Sequence, residues 1–166
     1  LGITSMKSVQ NTHNSAEFDD LHNALLMIVG TFNRPQRDEL LIKESNIQLD
    51  RALFPLLIQI GRFGPVGVVE LAERAGRDYT TVSRQVAKLE ELGLAQRQKN
   101  AKDKRVNEAV ITAAGKAMTD KIDAARAQIY QSLFATWQNE ERAELTRLLQ
   151  KFVGDFMAID SLHAAD

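Results

Sequence analysis

Between Asp78 and Lys88 the chain sets out hydroxyl and cationic side chains at a spacing that suits contact with a polyanion. If this stretch is helical, at roughly 100° per residue Thr80, Arg84 and Lys88 share one side, with Thr81 beside them. Val82, Val86 and Leu89 then fall together on the opposite side as an apolar stripe. Hydroxyls can reach bases or phosphates, a guanidinium such as that of Arg84 can fork onto a guanine edge, and the Lys88 ammonium can neutralise a phosphate. This face suits a helix entering a DNA major groove. The same pattern also describes an ordinary amphipathic helix with a solvated charged side, and the segment alone does not separate the two.

A second cluster follows in Lys99-Asn100-Ala101-Lys102-Asp103-Lys104-Arg105, too polar for a strand core and placed between two segments of strand character. It reads as the tip of a basic hairpin. From residue 74 to 105 there are nine Lys/Arg against four Asp/Glu, a local charge of +5, whereas the rest of the 166-residue chain holds twelve against eighteen. A basic segment on an acidic body is an electrostatic footprint for nucleic acid even though the net charge is −1.

Other chemistries find little support. The chain has no cysteine, which excludes disulfides, Cys-based zinc sites and thiol redox sensing. His13, His22 and His163 are far apart and make no metal-ligand spacing. There is no nucleophile motif, Gly-rich phosphate loop or recognisable pair of catalytic carboxylates. Asp19-Asp20 and Glu140-Glu141 fall at expected helix starts, where the helix dipole accounts for them. No cofactor, metal or enzymatic activity is therefore expected. The apolar runs 24–29 and 52–58 are too short to cross a bilayer, and a cytoplasmic protein is expected.

The elements that must carry these clusters are mainly helical. Residues 1–15 are polar and patternless and are expected to be flexible, with Leu1–Ser5 a cloning remnant ahead of a natural start at Met6. A helix is predicted from Ala16, with Phe18, Leu21, Leu25, Ile28, Val29 and Phe32 as its stripe, ending at Asn33-Arg34-Pro35. A short helix is expected over 36–44. Asp50 is expected to cap another running to about Arg62, with Leu53, Leu56, Leu57 and Ile60 inward and Pro55 loosening its first turn. Gly64-Pro65 makes a turn, Gly67 caps a short helix over 68–75, and Gly76-Arg77 turns into the helix capped by Asp78 and closed by Gly93. Two short helices joined through Gly form a helix-turn-helix pattern. Strands are expected at 94–98 and 106–111. Thr112 should cap a long helix to about Trp137, and Asn139 a last one whose stripe includes Leu145, Leu149, Phe152 and Phe156. The outer helices are more apolar than a small domain needs. They suggest a dimerisation arm, against the alternative of a monomeric bundle in which they cover one another.

Several stretches resemble the multiple antibiotic resistance regulator (MarR) family: Gly64-Pro65, residues 70–76, Asp78, Thr80–Arg84, Leu89–Leu94, the Asp103-Lys104-Arg105 of the hairpin, and Thr112 followed by Gly115. The likeness covers roughly residues 16–160. It implies a mainly α fold with a small β-hairpin wing: a winged helix-turn-helix over 49–111, and a helical dimerisation region over 16–48 and 112–162. It also implies a homodimeric regulator that binds pseudo-palindromic double-stranded DNA and is often released by a small, frequently aromatic, ligand. On that reading Thr80, Thr81 and Arg84 contact bases. Ser83, Gln85 and Lys88 lie on the DNA backbone. Lys102, Asp103, Lys104 and Arg105 form the wing tip at the minor groove, with Asp103 orienting Arg105. Phe18, Leu21, Leu149, Phe152 and Phe156 would lie between protomers, and His22, Phe32, Phe54 and Met118 are candidate walls of an effector pocket. Gly67 departs from the family's usual Thr or Ser cap, and the missing cysteine excludes its peroxide-sensing branch. The alternative is a winged-helix protein-interaction module that does not bind specific DNA.

Overall fold

The computed structural model describes the backbone of residues 4–163 and the side chains of residues 16–162. In chain order the elements are α1 (Thr4–Phe32), α2 (Pro35–Glu44), α3 (Phe54–Phe63), β1 (Val66–Gly67), α4 (Val68–Ala75), α5 (Tyr79–Glu91), β2 (Ala95–Lys99), β3 (Asn107–Ile111), α6 (Ala113–Leu133) and α7 (Asn139–His163). The chain divides into two compact units, residues 1–122 and 123–166.

The first unit is built on one apolar cluster. Leu56, Leu57 and Ile60 of α3, Val68, Leu71 and Ala72 of α4, and Val82, Val86 and Leu89 of α5 meet in it, closed by Leu53, Leu94, Ala95 and Ala109. These residues recur at three- and four-residue spacing on their helices, so each helix can bury one stripe while its other side stays polar. A three-stranded antiparallel sheet with order β1-β3-β2 borders the cluster. Ala95 pairs with Ile111 and Lys99 with Asn107, which leaves residues 100–106 as the hairpin tip.

The turn chemistry explains how the helix-turn-helix is held. Gly76, at φ +60°, takes the left-handed conformation that ends α4. Asp78 then caps α5, accepting from the main-chain N–H of Thr81 at 2.8 Å and from its hydroxyl at 2.5 Å. Gly93, at φ +72°, closes α5, with its N–H donating to the Glu90 carbonyl and that of Leu94 to the Leu89 carbonyl, both at 2.9 Å. Thr112 joins the sheet to α6. Its hydroxyl donates to the Gly93 carbonyl (2.6 Å) and accepts from the Gly115 N–H (3.0 Å), while its own N–H donates to the Leu94 carbonyl (3.1 Å). Gly115 is required there, since a Cβ at that position would lie 2.0 Å from the Leu94 oxygen.

Some boundaries differ from the sequence reading. Helix α1 opens at Thr4 rather than Ala16, because a polar helical segment leaves no apolar period to detect. Residues 1–3, and the side chains of 4–15, lie outside the described residues. Asp50 does not cap α3 through its side chain. Its carboxylate accepts from Ala52 N (2.7 Å) and its carbonyl from Leu53 N and Phe54 N, making a turn that delivers the chain to Phe54. Pro55 therefore stands in the first turn of α3, where its missing N–H has no helical partner to lose. Strand β1 is two residues long and too short for any period. Helix α6 stops at Leu133, since residues 134–137 turn, with Trp137 N donating to the Phe134 carbonyl (3.0 Å) and the two rings meeting edge-on at 5.1 Å. The cap of α7 is Gln138, one residue before Asn139, and its N–H donates to Glu141 three residues on (2.8 Å).

Each unit leaves large apolar side chains in the open. In the first, α1 exposes Phe18, Leu21, Met27 and Phe32. In the second, α7 exposes Leu149, Phe152, Val153, Phe156 and Met157. Among the described residues no helix is long and apolar enough to cross a membrane.

Candidate nucleic-acid interface

Helix α5 is packed against α3, α4 and β2 through its buried stripe, so its remaining faces are fixed by geometry rather than choice. Thr80 and Arg84 lie on the exposed side, and among the described residues no hydrogen bond engages the Thr80 hydroxyl or the Arg84 guanidinium. Lys88 continues the same line and is paired with Glu91 at 2.9 Å, an i,i+3 contact open to water. The hydrogen bond and charge of the Glu91 carboxylate raise the Lys88 ammonium above its ordinary value. The hydrogen bond from Thr81 holds Asp78 below the usual carboxylate range, with Arg84 adding a smaller pull in the same direction.

The other three candidates on α5 are occupied within the protein. The Thr81 hydroxyl serves the Asp78 cap. Gln85 accepts from Arg77 at 2.9 Å, and the same Arg77 nitrogen donates to the Ala52 carbonyl at 2.8 Å, so this pair ties α5 to the turn before α3. Ser83 is engaged at both its carbonyl and its hydroxyl by Arg97 of β2. Periodicity in α5 assigns each residue a side, but it carries no information about an arginine reaching over from another element.

At the wing tip, Asp103 and Arg105 form a forked pair. Arg105 Nε donates to Asp103 Oδ1 at 3.0 Å and its terminal nitrogen to Oδ2 at 3.1 Å, while the Arg105 main-chain N–H donates to Oδ1 at 3.0 Å. The Arg105 side chain nevertheless remains 90% exposed, so the pair aims the guanidinium without covering it. Its hydrogen bonds hold the Asp103 carboxyl below its ordinary value and raise the guanidinium further. The tip is shaped by Asn100, whose side-chain oxygen accepts from Lys102 N (2.8 Å) and Asp103 N (2.9 Å) and whose amide donates to Glu108. Asn100 and Glu108 were not among the sequence candidates. An Asn three residues before an Asp in a hairpin tip is the signal that could have flagged the first. Lys102 and Lys104 are exposed on the same tip.

Two grooves flank α5. One, of 530 Å³, lies between residues 48–53 and the C-terminal half of α5, with Leu49, Leu53 and Leu92 facing Arg84 and Lys88. The other, of 520 Å³, lies between the start of α4, Tyr79 and the root of the wing, and Arg105 lines it. None of His22, Phe32, Phe54 and Met118 lines either groove. Phe54 is buried, Met118 packs on the edge of the core, and His22 and Phe32 are exposed on α1. Away from the interface, burial pushes the Asp38 carboxyl up against the opposing pull of Arg51 and Arg77. No cluster of metal-ligating side chains is found among the described residues.

Comparison with known proteins places this geometry. A family model described as MarR family matches residues 49–106, the stretch from the turn before α3 to the wing. An uncharacterized HTH-type transcriptional regulator, YxaD of Bacillus subtilis (strain 168), is 36% identical over 103 residues, covering 62% of this chain and 72% of the relative. Among solved structures, a MarR family protein from Bacillus stearothermophilus superposes with a TM-score of 0.69 at 18% identity, covering 86% of this chain and 97% of that one. The transcriptional regulator BldR from Sulfolobus solfataricus gives 0.63 at 25% identity, covering 84% and 96%.

Proposed function

Because this chain belongs to the MarR family of winged-helix transcription regulators, we propose that it is a sequence-specific, homodimeric, cytoplasmic repressor of a pseudo-palindromic operator, released by a small aromatic ligand. The observation that carries the DNA-reading half is the arrangement of Thr80 and Arg84, free on the exposed side of α5, with the aimed Arg105 fork on the wing of the same unit. On this reading α5 lies in the major groove with Thr80 and Arg84 at base edges and Lys88 on phosphate. Thr81, Ser83 and Gln85 act from behind by fixing the helix. Lys102, Lys104 and Arg105 reach the adjacent minor groove, where a narrow groove concentrates negative potential.

Dimerisation is supported by the apolar side chains that α1 and α7 leave in water, Phe18 and Leu21 on one and Leu149, Phe152 and Phe156 on the other. Large apolar side chains exposed in number on one helix commonly mark an interaction surface. A second copy would cover them and place two α5 helices for two half-sites about one turn of DNA apart. Release by an aromatic ligand is supported by the groove beside α5. Its leucines suit a ring, and Arg84 and Lys88 suit a carboxylate on it. Bound there, such a ligand would neutralise charges that otherwise face DNA. His22, Phe32, Phe54 and Met118, the residues from which the sequence suggested an effector site, line neither groove beside α5.

The test is selection of bound duplexes from the source genome, followed by binding across a salt series with and without salicylate-like aromatics. Enrichment of a palindromic sequence whose affinity falls steeply with salt supports the reading. Failure to enrich any sequence would turn it toward a protein-interaction module.

A further inference from the structure

We propose that Arg97 and Glu90 are positioning residues that set the place of the wing relative to α5, and that Arg97, although a cation of the basic segment, does not itself contact DNA. This rests on the reading of α5 and the wing as the two DNA-contacting elements. Ser83 and Glu90 are two helical turns apart on α5 and so share one side of it. Arg97 belongs to β2 and pairs with Ala109 of β3 on one side of the strand. On the other side its main-chain N–H donates to Glu90 Oε1 at 2.8 Å. Its guanidinium turns back along α5 to the Ser83 carbonyl and, at 3.3 Å, to the Ser83 hydroxyl, and it lies 3.4 Å from the Glu90 carboxylate.

One wing residue thus holds α5 at two points seven residues apart. Two points fix an inclination as well as a distance, which a single bond cannot do. The held point, Ser83, immediately precedes Arg84, and the holding strand leads out to Asp103 and Arg105. The pair is also sheltered: the Arg97 and Glu90 side chains are 32% and 34% exposed, against 90% for Arg105. The Arg97 charge is already matched inside the fold, so it has little left to offer a phosphate. A loose clamp would leave every DNA-facing side chain present but let the wing wander relative to the helix, and preorganised sites lose function in that way.

The experiment uses the full-length protein and, as probe, the tightest-binding fluorescent duplex recovered by selection with the wild type. Affinity is measured by anisotropy across a salt series for Arg97→Met, Glu90→Gln, Arg105→Ala and the double variant Arg97→Met/Arg105→Ala, with thermal melts of each. Positioning predicts three results. Arg97→Met weakens binding roughly tenfold at unchanged salt slope, Glu90→Gln acts in the same direction, and the double variant is little worse than Arg105→Ala alone, because the aimed guanidinium that depends most on the wing's placement is already gone. Additive losses, with a salt slope smaller by about 0.9 for Arg97→Met, would show a direct phosphate contact and overturn the proposal. Lower melting temperature with full affinity would reduce the pair to a structural role and overturn it too. Should Arg97→Met fail to fold, Glu90→Gln and its double with Arg105→Ala carry the same test. If selection recovers no duplex with the wild type, the DNA reading itself fails and this inference falls with it, an outcome distinct from a wild type that binds and a clamp that does not matter.

Discussion

Adding a single methyl group at residue 115 tests how tightly the wing domain is keyed to α6. In most helix interiors, replacing glycine by alanine gains up to about 1 kcal/mol. Here the new Cβ would lie 2.0 Å from the Leu94 carbonyl oxygen, 3.0 Å from its carbon and 2.8 Å from Ile111 Cγ1. The first atom is backbone and cannot swing aside, so the start of α6 must retreat by more than ~1 Å to restore ordinary contact. That same carbonyl accepts from Thr112 N, and the Thr112 hydroxyl donates to Gly93, so the retreat strains two hydrogen bonds. Overpacking costs about 1–3 kcal/mol and each lost hydrogen bond about 1 kcal/mol. After subtracting the helix-propensity gain, Gly115→Ala should destabilise by about 2–4 kcal/mol. Urea denaturation followed by circular dichroism, at one fixed protein concentration because association shifts the midpoint, measures it. Gly154→Ala serves as the control, since nothing lies within 4 Å of a Cβ there, and should gain about 0.5–1 kcal/mol. A Gly115→Ala protein as stable as its parent, with an unchanged denaturant slope, would refute the reasoning.

Three further outcomes are expected. Arg84→Ala should cost about 1–3 kcal/mol on the best operator and relax discrimination at one base position, whereas Lys88→Ala should weaken all sequences alike and reduce the salt slope; equal loss of specificity from both would remove the division of labour. Replacing Phe152 and Phe156 together by Glu would set two carboxylates into the proposed protomer contact, so sedimentation should show loss of the dimer and anisotropy loss of DNA affinity, and a folded variant that stays dimeric excludes both residues from the interface. Because the Asp103 carboxyl is held below its ordinary value, its pairing with Arg105 is fully formed above the unfolded carboxylate range and is lost only as pH falls through the lower folded value; DNA affinity should therefore show no titration from this pair between about pH 5 and 8, while Asp103→Asn should weaken binding throughout that window.

Helix α4 and the cap of α5 were readable because their signals are local. An apolar stripe of eight residues ends at a glycine, and an Asp stands two residues before a Thr-Thr pair. The Asp103–Arg105 pair came from the family resemblance, and its two-residue spacing lets the fork form locally. What the sequence could not show depends on contacts across the fold. Ser83 and Gln85 look like outward polar residues until Arg97 and Arg77 arrive from elsewhere to bind them. Likewise, of the nine cations between 74 and 105, Arg77 and Arg97 are engaged by internal acceptors, and Arg74 by Glu70 and the Phe63 ring, so fewer side chains are free for direct contact with a polyanion than the count implies. The start of α1 escaped notice because polar helical residues carry no period.

The outer edge of β2 has one further consequence. A hairpin that projects from a protein offers a row of unsatisfied main-chain groups, and such a row is a template on which other chains can add strands and aggregate. In this wing the Arg97 N–H is already taken by a carboxylate from α5, and the same strand carries Lys99, whose charge disfavours an identical strand brought alongside. The outer edge of β2 is thereby a poorer template for strand addition by copies of the same chain. The apolar faces that α1 and α7 expose are of another kind: helical faces, unlike strand edges, join only partners whose side chains fit.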